Sequence, residues 1–189
     1  MAVTDTSEFT QAYKIVYGVK EINDGGTGYI DFTNVIPQDY QFCEIHIKKL
    51  NLSTNGDVYL RWISGTDTIE STTDYYYTGI RADSASGHGI IRTAAITPGE
   101  DYMDLWTEVG TGANAGGILT IMNAPKADLH THNKFWGHHT DNAGVVNTMT
   151  SHSHKREVAV TGFRLYTSGA DITISNADIF VIRLAGKDF

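Results

Sequence analysis

No stretch of this chain keeps a helical hydrophobic period beyond about two turns. Short runs rich in β-branched and aromatic residues are instead broken by Gly, Asn, Asp and Ser at intervals of roughly 8 to 15 residues. Strands are predicted at 13–20, 28–33, through Ile45 and Ile47, and at 58–62, 88–96, 102–109, 117–123, 127–136, 145–154, 157–166 and 177–184. Val58, Leu60 and Trp62 alternate with Tyr59 and Arg61, and the turn signal Asn55-Gly56-Asp57 precedes them. With the strand through Ile45 and Ile47 this reads as a hairpin. About ten or eleven strands and no helix predict an all-β fold, a two-sheet antiparallel β-sandwich of jelly-roll-like form.

The 189 residues fit one domain with a sizeable core. Residues 1–12 are polar and unpatterned and read as a flexible N-terminal arm, leaving 13–189 as a single β-sandwich domain. A formal charge of -8 gives no basic surface for phosphates, so neither nucleic acid nor an anionic membrane is expected as a partner. The N-terminus lacks the basic start and apolar run of a signal peptide, and no run approaches the roughly 18 apolar residues of a membrane span. Synthesis in the cytoplasm with no membrane insertion is the expectation. Cys43, the one cysteine, lies in an alternating apolar run and reads as a small buried hydrophobe.

The motifs of the common enzyme classes are missing or misplaced. The glycine-rich connectors at 24–28 and 110–117 do not lead a strand into a helix, as a phosphate-binding loop must. No Gly-x-Ser-x-Gly elbow is present. Asp128-Leu129-His130-Thr131-His132 resembles the first metal-binding strand of amidohydrolases, but that motif opens a β/α barrel of roughly 200 residues or more, and only about 60 residues follow here. An enzyme is not expected.

Six of the eight histidines fall between His130 and His154. Residues two apart in a strand share a face, so His130 and His132 form one pair and His152 and His154 another. If the two strands form a hairpin closed near Asp141-Asn142-Ala143-Gly144, four imidazoles converge. That set suits a transition metal such as Zn, Ni or Fe. The same histidines also read as solvated or hydrogen-bonded residues on a polar face, with no cofactor required. Tyr75, Tyr76 and Tyr77 must present at least one ring outward, and Trp136 reads as a contact at the hairpin tip; all four are candidate ligand-binding residues. Trp62 and Trp106 read as core.

Tyr29-Ile30-Asp31-Phe32-Thr33, then Lys48 through Asp57, then Leu60-Arg61 with Ser64-Gly65, and later Val160-Thr161-Gly162-Phe163-Arg164-Leu165-Tyr166, resemble in order and spacing a family of small bacteriophage virion proteins of β-sandwich type. The likeness covers most of 13–184, although Ser64-Gly65-Thr66-Asp67 lacks the double glycine usual at that turn. It implies a structural protein of the virion that forms a homotrimer and has no catalytic residues. Its place would be a tail fibre or baseplate, with a role in assembly or host attachment, or else the head as a capsid decoration. Other phage structural proteins are the implied partners, with a host-surface glycan or protein as the outside target. Appendages of this kind hold metal on a symmetry axis through His-x-His pairs. A carbohydrate-binding, lectin-like domain shares the expected fold.

Overall fold

The structure, a computed structural model, describes residues 13–36, 38, 42–65, 68–84, 100–124, 126–141, 144–169 and 171–184. The expected arm at 1–12 and the strand expected at 88–96 lie outside them. Twelve strands are described: β1 Tyr13–Ile22, β2 Tyr29–Phe32, β3 Phe42–Leu52, β4 Gly56–Ser64, β5 Thr68–Ile69, β6 Tyr75–Asp83, β7 Met103–Val109, β8 Ala115–Met122, β9 Thr131–Thr140, β10 Val145–His154, β11 Val160–Thr167 and β12 Ile174–Leu184.

They build two antiparallel sheets, a jelly-roll-like sandwich as the sequence predicts. The first has seven strands in the order β1-β12-β3-β8-β9-β10-β6. The second runs β2-β11-β4-β5, with β7 on β4. Alternation explains the layering: Ile45, Ile47, Leu50 and Leu52 of β3 face Val58, Leu60 and Trp62 of β4 across one core. Phe32 stacks on Phe163 at 4.6 Å, and Trp106 meets the edge of Phe135 at 4.9 Å. Trp62 and Trp106 are fully buried, as expected. Gly137 makes the second contact possible, since a Cβ there would lie 2.4 Å from the Phe135 ring and 2.6 Å from Trp106 Nε1. Cys43 is buried, and burial pushes its thiol up to about 12.

One pairing differs from the sequence reading. β3 and β4 are not a hairpin: β3 pairs with β12 and β8 in the first sheet, whereas β4 pairs with β11, β5 and β7 in the second. The turn at Ser53–Asn55 carries the chain from one sheet to the other. Both strands have an apolar face, and facing each other buries both, which lying side by side does not.

Candidate binding surface

The histidine hairpin forms, with β9 paired to β10 from Thr131↔His154 to Thr140↔Val145. Its first strand begins at Thr131 because residues 126–129 turn, with the Leu129 amide donating to the Lys126 carbonyl at 3.4 Å. Four residues separate Thr140 from Val145, so each even-numbered position is paired with an odd one. Paired residues share a face, and this parity divides the histidines. His132 and His138 face outward on β9, while His139 turns inward with His152 and His154. The expected convergence of His130, His132, His152 and His154 is therefore corrected: the two pairs lie on opposite faces. Among the described residues no three His, Cys, Asp or Glu side chains gather as a metal-ligating group.

The outward pair is half-exposed. His130 and His132 have ring centroids 6.4 Å apart, His130 lies 3.9 Å from Glu157, and His132 Nδ1 is 2.8 Å from Ser153 Oγ. The inward pair is buried. His152 bonds Asn133 through Nδ1 at 3.0 Å, and the His154 ring packs on Tyr75 at 4.6 Å. Burial holds His152 down at about 3 and His139, beside the Arg81 guanidinium, at about 4; it also lowers His154.

The tyrosines divide by the same alternation. Tyr75 is fully buried, its hydroxyl donating to the Glu70 carbonyl and accepting from Trp62 N–H, both at 2.8 Å. As a candidate ligand contact it is corrected to a core residue. Tyr77 also points inward, 5.6 Å from the His152 ring. Tyr76 faces outward, half-buried under the Lys155 ammonium at 3.8 Å.

Trp136 sits mid-strand in β9 and not at the hairpin tip, and it is the most exposed large apolar side chain described, at 66%. Register sets it in a row across four strands, Ile80–Met149–Trp136–Ile118, with exposures of 49% for Ile80, 59% for Met149 and 37% for Ile118. The row continues through His46 and Phe180. Beside Trp136 runs a shallow groove of about 310 Å³ bordered by His46, Lys48, His138 and Asn147, with Gly116 in its floor. Sequence reasoning found Trp136 but missed Ile80, Met149 and Ile118. Thr148-Met149-Thr150 carried the signal: a methionine opposite in phase to two threonines is on the outside whenever the threonines are inside.

No family model matches the chain, and no curated protein matches it. Among solved structures, an alginate lyase from Aplysia kurodai is similar at 7% identity and a TM-score of 0.36, over 91% of this chain and 100% of its own. An endo-β-1,4-glucuronan lyase from Trichoderma reesei is similar at 15% identity and a TM-score of 0.24, over 85% and 78%. Both likenesses are too loose to carry chemistry to this chain.

Proposed function

We propose that the chain is a non-enzymatic structural module of a bacteriophage particle that self-associates through the outer face of its seven-stranded sheet. The observation that carries this reading is the exposed apolar row Ile80–Met149–Trp136–Ile118. A contiguous apolar strip on an otherwise polar sheet marks a protein contact, and Trp and Met are the side chains such contacts favour. The phage setting comes from the sequence resemblance, which favours a homotrimer on a tail fibre or baseplate, with host attachment or assembly as its role. The outward His130–His132 pair lies on the same sheet face, where copies meeting on an axis would bring His-x-His pairs together.

The test is the native mass of untagged protein, with and without a strong chelator, for wild type, Trp136→Ala and Met149→Lys. A trimer that survives chelation and falls to monomer in both variants, with unchanged circular dichroism, is the expected result. A trimer lost on chelation moves the histidine pair and its metal to the centre of assembly. A wild-type monomer overturns self-association and favours a capsid decoration that assembles only on its shell.

A further inference from the structure

The outer face of the second sheet carries an arrangement that neither the core nor the apolar row uses. Register sets Tyr29, Tyr166 and Tyr59 side by side across β2, β11 and β4. Two residues along each strand, Asp31, Arg164 and Arg61 form the adjoining row. Tyr102 extends the tyrosines, its ring 4.3 Å from Tyr59. The rows interlock, with the Arg164 guanidinium 4.0 Å over the Tyr29 ring and that of Arg61 4.7 Å over Tyr166.

Each guanidinium is also fixed by a carboxylate. Arg164 donates from Nε and Nη2 to Asp31 at 2.6 and 2.7 Å. Arg61 donates from Nη2 to the Asp101 carboxylate and from Nε to its carbonyl at 2.8 Å. The positive charge is cancelled within the patch, and the geometry of donors and acceptors is set before any ligand arrives. Of these side chains Tyr29, Tyr166, Arg61 and Arg164 line a groove of about 210 Å³, together with Gly28 and Ser168. The Gly28 side is braced: the Asp24 carboxylate accepts from the amides of Gly26, Gly28 and Ile174 at 2.8, 3.1 and 2.6 Å, and Thr167 donates to the Ile172 carbonyl at 2.6 Å.

Aromatic rings beside Arg–carboxylate pairs, with no net positive charge, match one ligand chemistry. A sugar ring offers a C–H face to stack on tyrosine and neighbouring hydroxyls that both donate and accept. An anion gains little, because both arginines are already neutralised, and an apolar ligand would strand the polar rim. We infer that this groove binds a neutral saccharide, with Tyr29, 40% exposed, as the stacking ring and the Arg164–Asp31 and Arg61–Asp101 pairs as the hydroxyl-reading groups. The site does not depend on association through the first sheet, whose outer face is on the opposite side of the sandwich.

The experiment is an amide and side-chain NMR titration of the full chain with glucose, galactose, N-acetylglucosamine and, as the anionic comparison, glucuronate. At least one neutral sugar gives saturable shifts at Tyr29, Arg164 and Ser168. Tyr29→Ala weakens that binding about tenfold, the loss of one good stacking contact; Tyr29→Phe, which keeps the ring, restores most of it, and Trp136→Ala leaves it unchanged. Three results overturn the inference: no saturable shift with any neutral sugar, saturation with glucuronate alone, or shifts that centre on Trp136 and vanish in Trp136→Ala. Native mass, measured separately, reports on the association reading.

Discussion

The inner face of the seven-stranded sheet changes character halfway across. β12, β3 and β8 line it with Ile174, Ile179, Val181, Ile45, Ile47, Leu50, Leu119 and Ile121, all buried. β9, β10 and β6 line it with Thr131, Asn133, His139, Thr148, Thr150, His152 and His154, also buried, and with Tyr77 and Arg81. On the outer face Trp136, Met149 and Ile80 stand behind this polar interior. In this half polar side chains share the inside with Phe135, Val146 and Tyr75, and an apolar strip crosses an outer face of mostly polar residues. Burial alone stabilises the first half. The second half obtains less from burial and must satisfy buried donors and acceptors one by one, so its exposed apolar side chains are not explained by stability. Local rules are broken where another requirement wins, and under the proposed self-association that requirement is a contact surface.

The seam between the halves is the point of greatest leverage. Trp106 of β7 packs edge-on against Phe135 and closes β9 onto the second sheet. Trp106→Ala is expected to cost about 3 to 5 kcal/mol in denaturant unfolding. A loss below about 1 kcal/mol would show that the polar half is held without the seam, and the contrast between halves would lose its energetic meaning.

Acid should act on the polar half next. His139 and His152 are held at about 4 and about 3 in the folded chain, against about 6.5 when unfolded. The unfolded chain therefore binds more protons between those values. The stability tied to the neutral imidazoles is complete above about pH 6.5 and is lost as pH falls toward 4 and then 3. The expected result is a steady loss of stability between pH 7 and pH 4. His152→Asn, which keeps a donor for Asn133, should flatten it. An acid profile identical in that variant would show that His152 is not a source of the slope.

Strand existence was legible because alternation is local: the core phase of Trp62 and the strand from 145 to 154 follow from neighbours alone. Pairing was not. β3 and β4 look like a hairpin until the whole chain decides that their apolar faces meet across a core. Nor could the sequence tell which histidines share a face. The parity of the loop between Thr140 and Val145 decides that, and one residue more or less would have brought His132 beside His152 and His154. Of three consecutive tyrosines, alternation says that the outer two share a face, but only the fold shows that this face is the inside. The tyrosine and arginine rows of the second sheet join residues far apart in sequence, and nothing local connects Tyr29 to Tyr59 or Tyr166.

The smallest expected effect is the most direct test of the contrast, because it changes chemistry at constant shape. Thr150 is buried in β10 opposite Gly79, and among the described residues its hydroxyl has no hydrogen-bond partner. Thr150→Val keeps the branched shape and removes that hydroxyl, so it should stabilise the fold by about 1 kcal/mol. The reverse change in the aliphatic half, Val181→Thr on β12, places a hydroxyl among Ile45 and its neighbours and should destabilise by a similar amount or somewhat more. Opposite signs for two equal changes of shape would fix the difference between the halves in polar satisfaction. If both substitutions destabilise, the Thr150 hydroxyl is satisfied by solvent in the crevice between β6 and β7, and the polar half is a hydrated layer that the sandwich tolerates behind its exposed apolar row.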